Sequence, residues 1–407
     1  MKPSKVVVIG QGYVGLPLAM AIAEAGHEVI GFDSNSGVVS NLKAGISHIE
    51  DIEFNLLSKV IASGNYRATS NPVDFSQSEI AIIAVPTPLD EKREPDLKYV
   101  ISASEALGKF LAKPTLIINE STSYPGTLRN LIAPTVLKSS KVGLRHLFAI
   151  SPERIDPGNK EWKMANTPRI YAGLTDEAAN LTKVFYSGFC GDLIEVSSPE
   201  VAESAKLFEN TFRQVNIALV NELALITRGI GISVNEVIDA AASKPYGFMK
   251  FSPSIGVGGH CIPVDPSYLA HTAKSIGVEP RFIELANEVN LQMPREIVKR
   301  IKADNGGTLK GKKILVCGVA YKPNVADTRE TPTAILIDEL EKEGAKISWH
   351  DPLVSNWKGS TSVELSEKDY DVTVVSVLHD SMDKSKIAST SKYLFDCTGK
   401  LPGGHEL

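Results

Sequence analysis

The stretch from Lys5 to Asp33, "KVVVIGQGYVGLPLAMAIAEAGHEVIGFD", permits very few folds. A β-branched run enters three glycines spaced G-x-G-x-x-G, continues into an alanine-rich helical pattern, and returns as a second β-branched run ending in an acid. That order describes a parallel βαβ unit whose first turn receives a dinucleotide. Gly10 makes the tight turn, Gly12 lets a pyrophosphate reach the backbone, and Gly15 lets helix pack on strand. Gln11, Tyr13 and Val14 fill the rest of that loop. Asp33, 18 residues beyond Gly15, stands where an acid accepts the adenosine ribose hydroxyls. Its charge would repel a 2′-phosphate, so the expected cofactor is NAD.

The same rhythm continues through "EIAIIAVP", "TLIIN", "LFAIS", "RIYAG" and "LIEV". Runs that are continuously apolar, rather than alternating, mark strands covered on both faces by intervening helices. The expectation is an α/β domain with a doubly wound parallel sheet over residues 1–196. In "AVPTP", Thr87 ends one of these strands on the carboxyl edge, where cofactors bind.

The pattern then turns helical over residues 197–304. One long helix is predicted from Pro199 to Gly229, with proline near its start and glycine at its end. Val201, Ala205, Phe208, Phe212, Val215, Leu219 and Ile226 follow helical spacing, and further apolar residues spill round the girth. A second subunit is the expected cover, giving a homodimer or higher homo-oligomer. Shorter helices are predicted over about residues 234–242, 266–276 and 280–303. After the glycine-rich hinge "ADNGGTLKGK", strands and helices alternate again in a smaller domain over residues 305–407. The fold class is therefore α/β: two Rossmann-like doubly wound domains joined by a long central helix and an all-helical middle region. The second α/β domain opens with "CGVAYKP" in place of a glycine fingerprint, so no second dinucleotide is expected there.

Composition narrows the function. The 43 Lys and Arg against 48 Asp and Glu give a net charge of −5, without basic clusters, which argues against nucleic acid as a partner. Cys190, Cys261, Cys317 and Cys397 form no C-x-x-C pair, so neither a disulfide framework nor a metal site is expected. The apolar run at the start is too short for an export signal, and no window offers the ~20 apolar residues of a membrane span. A reduced, cytoplasmic setting follows.

One cysteine sits in unusual company. "GVGGHCIPVD", residues 256–265, puts Cys261 beside three glycines, downstream of a cofactor domain. A thiol there could hold an aldehyde carbon while a second hydride leaves. The chain at this point resembles the nucleotide-sugar 6-dehydrogenases, the UDP-glucose and UDP-N-acetylhexosamine 6-dehydrogenase family. Seven motifs occur in that family's order: "GQGYVGLPLA", "VPTP", "ESTSYPGT", "SPERIDPG", "AESAKLFENTF", "GVGGHCIPVDP" and "YKPNVADTRETP".

The resemblance implies an NAD-dependent enzyme that oxidises the C6 alcohol of a UDP-sugar to a carboxylate in two steps. Cys261 would be the nucleophile, and Glu153 the acid/base that activates water against the thioester. Thr122 would position that water near the cofactor, and Arg154 would lie on the substrate side. Lys206 would stabilise the developing alkoxide, Asn210 would anchor sugar or water, and Asp265 would hold the Lys206 charge or a water. Lys206 and Asn210 stand four apart and so share a helix face. The backbone amides at Gly256 and Gly258 would hold the pyrophosphate and Phe251 would flank uracil or ribose. Lys322 would meet the diphosphate, and Arg329 the cofactor.

Ordinary readings compete with these. Lys206 with Glu203 or Asn210 makes a plausible surface pair on a helix. Glu153 could pair with Arg154 or cap the chain at Asp156 and Pro157, and His260 is left outside the catalytic set. Two departures matter: Val264 replaces the lysine of the C-x-P-K-D pattern typical of UDP-glucose enzymes, and Val38 replaces a basic residue often found five past the ribose acid. "GGHCIPVDP" and "SPERIDPGN" point to UDP-N-acetylglucosamine as the substrate, with UDP-N-acetylmannosamine, UDP-N-acetylgalactosamine or UDP-glucose as alternatives. A one-step 3-hydroxyacid dehydrogenase would also suit Lys-x-x-x-Asn on a long helix, but leaves Cys261 without a task. A sensor that binds NAD or a nucleotide sugar without turnover is a third reading.

Overall fold

The computed structural model describes residues 3–49, 52, 54–154, 159, 161–366 and 369–407. Asp156 and Pro157, and with them part of "SPERIDPG", lie outside the described residues. Contacts divide the chain into two compact units, residues 1–209 with 267–276, and residues 210–266 with 277–407.

The first unit holds an eight-stranded sheet: β1 (Lys5–Ile9), β2 (Glu28–Phe32), β3 (Tyr66–Thr69), β4 (Ile80–Ile83), β5 (Leu116–Asn119), β6 (Leu147–Ile150), β7 (Arg169–Gly173) and β8 (Leu193–Glu195). Their order is β3-β2-β1-β4-β5-β6-β7-β8, so the first six follow the dinucleotide-binding arrangement with its crossover between β1 and β4. Val6, Val7 and Val8 are wholly buried, as are Ala81, Ile82, Ile83, Ile117 and Ile118. Burial on both faces is what their unbroken apolar runs predicted. Two features depart from the sequence reading. β3 is an extra strand, and β7 runs antiparallel to β6, with Ile150 opposite Ala172. The helix Gly15–Glu24 covers the sheet through Leu16, Leu18, Ala19, Met20, Ile22 and Ala23.

The second unit holds β9 (Lys313–Cys317), β10 (Lys346–His350), a two-residue-strand hairpin of β11 (Asn356–Trp357) and β12 (Ser360–Thr361), then β13 (Tyr370–Val375), β14 (Ser391–Asp396) and β15 (His405–Glu406). Its sheet is parallel throughout in the order β10-β9-β13-β14-β15, the other common doubly wound arrangement. Ile314, Val316, Val372, Val374 and Phe395 form its core with Leu336 and Leu340 of the helix Pro332–Lys342.

The long helix spans Pro199–Gly229, as its terminal proline and glycine foretold. Shorter helices run Val234–Ala242, Asp265–Ser275 and Arg281–Asp304. Phe208, Leu219 and Ile226 on the long helix are exposed by 63%, 62% and 55%, a row of large apolar side chains that a lone chain leaves facing water.

Candidate active site

The glycine loop after β1 divides its three tasks as the spacing requires. Gly10 has φ +92°, and an added Cβ there would fall 2.4 Å from the Ala84 carbonyl oxygen. At Gly15 a Cβ would fall 1.9 Å from the Gly10 carbonyl oxygen, so only glycine lets the helix start that close. At Gly12 nothing lies within 4 Å of the same position. That glycine is bare towards open space, which fits a ligand's approach rather than protein packing. Tyr13 and Val14 are half-buried beside it.

Asp33 follows β2. Its two oxygens accept from the backbone N–H of Gln11 at 2.9 Å and of Asn35 at 2.8 Å. Each carboxylate oxygen has a second lone pair, and Asp33 is only half-buried, so ribose hydroxyls can still be accepted. The Gln11 side chain is fully buried: it donates to the Val8 carbonyl at 2.9 Å and accepts from the Tyr66 hydroxyl at 2.8 Å. Gln11 thus braces the loop through its side chain and offers only main chain to a cofactor. Val38 lies in the first turn of the helix Ser36–Lys43, which Asn35 caps, and leans on the sheet's core.

At the ends of β4 and β5, Ser121 ties two loops together, accepting from the Val85 N–H at 2.9 Å and donating to the Val85 carbonyl at 2.9 Å. Thr87 is buried in the loop so fixed, and Thr122 is half-buried next to Ser121. Glu203 of the long helix accepts from the Gly126 N–H at 2.6 Å and the Leu128 N–H at 3.0 Å. Burial pushes its carboxyl up to about 7, against those two donors, which favour the charged form. Glu203 is therefore engaged with a loop. Lys206 is 8% exposed, so the surface-pair reading fails.

Glu153 is 6% exposed and its N–H donates to the Glu120 carbonyl at 3.3 Å. Its carboxylate lies 3.8 Å from the guanidinium of Arg169, which opens β7. Arg154 points elsewhere, pairing with Glu209 at 2.7 Å and donating to the Pro168 carbonyl at 2.8 Å. Arg169 also meets Glu120 at 2.8 Å and packs its guanidinium over the Tyr186 ring at 4.7 Å. Tyr186 in turn donates to Glu120. Burial opposes the guanidinium charge, but Glu120, Tyr186 and Glu153 together raise the Arg169 pKa. Sequence reading found none of Glu120, Arg169, Tyr186 or Glu203. A charged residue opening an apolar strand was the one available signal, at Arg169.

In the second unit, Asn210 is buried and its amide donates to Asp265 at 2.6 Å. Asp265 begins the helix that follows Cys261, and its N–H donates to the Cys261 carbonyl at 2.8 Å. Cys261 is exposed, whereas Cys317 and Cys397 are buried and Cys190 is half-buried. The neighbouring glycines have protein reasons as well. A Cβ on Gly256 would meet the Asn290 carbonyl oxygen at 2.8 Å; one on Gly258 would meet Tyr321 Cβ at 2.8 Å and Pro332 at 2.9 Å. A Cβ on Gly259, at φ +81°, would meet the Tyr321 ring at 2.8 Å. The loop is bare so that "YKP" and "TP" can seat against it. Phe251 meets Phe212 edge-on at 5.9 Å and rests on the small cluster of Val220, Ala224, Val234 and Ile238. Lys322 is half-buried. The Arg329 guanidinium is held by Asp327, with Nε at 3.0 Å from both carboxylate oxygens. Burial lowers the pKa of His260.

A Rossmann-type NAD fold with a buried acid and lysine is the chemistry of a dehydrogenase. Its sequence matches the UDP-glucose/GDP-mannose dehydrogenase family in three parts: the NAD binding domain over residues 4–189, the central domain over 200–292 and the UDP binding domain over 315–401. The chain belongs to that family and is an NAD-dependent UDP-sugar dehydrogenase. It is 37% identical to the UDP-N-acetyl-D-glucosamine 6-dehydrogenase of Pseudomonas aeruginosa, over 87% of this chain and 84% of that one. It is 34% identical to the UDP-N-acetyl-D-mannosamine dehydrogenase of Methanocaldococcus jannaschii, over 94% and 88%. The solved UDP-D-ManNAc dehydrogenase of Pyrococcus horikoshii superposes with a TM-score of 0.89 at 30% identity, covering 99% of this chain and 98% of the other. Among the described residues, no helix is long and apolar enough to cross a membrane.

Proposed function

We propose that this enzyme carries out a two-step, four-electron oxidation at C6 of UDP-N-acetylglucosamine, giving the uronate. The observation that carries this reading is the exposure of Cys261 alone among the four cysteines, in a loop that follows the family pattern. NAD, when bound, takes up the hydride in each oxidation. Lys206, buried on the long helix, stabilises the alkoxide as the C6 hydroxyl loses its proton. Cys261 adds to the aldehyde carbon as a thiohemiacetal, which loses a second hydride to become a thioester. Glu153 takes a proton from water, whose oxygen attacks the thioester carbon; the carbon–sulfur bond breaks and the thiol is restored. Asn210 and Asp265, already bonded to each other, orient sugar or water, and Thr122 helps place the attacking water.

Asp33 and the loop of Gly10, Gly12 and Gly15 hold NAD, with Thr87 and Arg329 as further contacts. Gly256, Gly258 and Lys322 serve the diphosphate, Arg154 and Phe251 the substrate's flanks. We assign residues 1–196, 197–304 and 305–407 to the NAD, central and UDP-sugar parts, and the exposed row on the long helix to a second copy of this chain. The four unbridged cysteines and the nucleotide-sugar substrate favour the cytoplasm.

The mannosamine relatives, one of them 34% identical over 94% of this chain, support UDP-N-acetylmannosamine as the second reading. A panel of UDP-sugars assayed by NADH absorbance separates the two, with two NADH expected per sugar. Cys261→Ala should abolish acid formation while NAD still binds; a fully active Cys261→Ala enzyme would overturn the covalent route.

A further inference from the structure

The proposed base, Glu153, does not stand alone. Behind it lie two enclosed charges and a neutral hydroxyl: Glu120 is 1% exposed, Arg169 5% and Tyr186 0%. A guanidinium is a rigid fork, able to serve two carboxylates at once from two nitrogens. Arg169 does so here. Its Nη1 takes Glu120 at 2.8 Å, and its Nη2 faces Glu153 at 3.8 Å. The fork itself is clamped from every side. Nη1 also donates to Ser151 Oγ at 3.1 Å, the Tyr186 ring lies against its plane at 4.7 Å, and the Tyr186 hydroxyl fixes the oxygen of Glu120 that holds it. Glu120 reaches Glu153 a second way, through the main chain, since its carbonyl accepts the Glu153 N–H.

This arrangement is costly unless it serves something, because burying three charges exceeds what a hydrophobic replacement would demand. It is also unequal. The close contact goes to Glu120 and the longer one to Glu153, so the fork is anchored at Glu120 and presents its other nitrogen to the proposed base.

We propose that Arg169, anchored by Glu120 and Tyr186, is the positioning residue that aims the Glu153 carboxylate at the hydrolytic water, and so governs thioester hydrolysis rather than either oxidation. This rests on the role proposed for Glu153. In the step concerned, water's oxygen bonds to the acyl carbon, its proton passes to Glu153, the carbon–sulfur bond breaks, and the proton returns to sulfur. Loss of aim by about 1 Å slows such a step on the order of 100-fold.

The test uses the full-length enzyme with UDP-N-acetylglucosamine and NAD as probes. Arg169→Lys keeps a cation for Glu120 but, as a single point charge, cannot span both carboxylates. Rapid mixing should show a normal first burst of two NADH per Cys261, followed by steady turnover slowed roughly 10- to 100-fold. Acid-quenched protein should carry the acyl group on Cys261 by intact mass. Turnover within about threefold of the parent, or burst and turnover falling together with no covalent species, would overturn the proposal. Should Arg169→Lys fail to fold, Tyr186→Phe removes only the hydroxyl that fixes Glu120; it should give covalent build-up with about a fivefold loss, and absence of build-up overturns the idea equally. Glu153→Gln is run in parallel. If it builds up no thioester, the role of Glu153 itself is wrong; if it does and the Arg169 and Tyr186 variants do not, only the positioning role fails.

Discussion

Adding one methyl at Gly259 tests whether the loop before Cys261 is glycine-rich for the protein's sake. The structure separates two costs there. The φ of +81° puts an alanine in left-handed backbone, worth about 1–2 kcal/mol. The new Cβ would also lie 2.8 Å from one carbon of the Tyr321 ring and 3.0 Å from two others. Such overpacking adds about 1–3 kcal/mol, so Gly259→Ala should destabilise by about 2–5 kcal/mol in all. In a Tyr321→Ala background the ring is gone and only the backbone cost of about 1–2 kcal/mol should remain. A double-mutant cycle should then report a coupling of about 1–3 kcal/mol between the two positions. Gly258→Ala is the internal control: its closest contacts are Tyr321 Cβ, which alanine retains, and Pro332, so Tyr321→Ala should not relieve it. In a Trp162→Phe background, urea unfolding followed by tryptophan fluorescence reads the right unit, because the remaining Trp349 and Trp357 lie edge-on at 6.0 Å within it. Equal costs for Gly259→Ala with and without the Tyr321 ring would refute the packing argument.

Two further outcomes follow from the first unit. The Glu203 carboxyl titrates at about 7 in the fold against an ordinary 4.5, so the native state holds its proton more tightly than the unfolded chain. The stabilisation is full below about 4.5 and is lost as pH rises through about 7, a swing of about 3 kcal/mol relative to Glu203→Gln. Urea midpoints of the two proteins from pH 5 to pH 8 check this, and a difference that stays constant with pH would contradict it. Asp33→Ala removes the acceptor for the Gln11 and Asn35 amides as well as for ribose. KM for NAD should rise at least about tenfold with kcat changed far less, measured by initial rates; an unaltered KM would show that the acid does not meet the cofactor.

Much of the fold was legible because it rests on local patterns. β1, β2 and β4 to β7 are buried on both faces, so their apolar runs are unbroken, and the long helix carries its own stop signals at Pro199 and Gly229. β3 escaped notice because Arg67 faces water in the middle of "YRAT". The reversal of β7 was invisible for another reason: a strand covered on both faces reads the same whichever way it runs. At the site, Gly10, Gly12, Gly15 and Asp33 were legible since their spacing is fixed by one turn of chain. Arg169 and Glu203 were not. Each reaches a partner on a distant element, Glu120 in one case and the Gly126 amide in the other, and no interval in the sequence encodes that meeting.

The two sheets carry an acid at the same station, the end of the second strand, and the contrast between them explains why one fold can serve different ligands in one chain. Asp33 spends one contact per oxygen and stays half-buried. Asp351, after β10, is 1% exposed and accepts from the N–H groups of Val319, Ala320, Leu353 and Val354, and from His379 Nε2 at 3.1 Å. Five donors exceed the four lone-pair positions a carboxylate offers, so no ribose hydroxyl can be added. The imidazole is the neutral tautomer with its proton on Nε2, because Nδ1 accepts the Asn324 N–H at 2.8 Å. Asn324 and Asp380 close the link with reciprocal bonds at 2.9 Å. The acid that would bind adenosine in one sheet has become, in the other, the buried post to which the "YKPN" loop and Lys322 are fastened. The filled coordination of Asp351 leaves no acceptor for a ribose hydroxyl at that station of the second sheet and fixes the loop beside it.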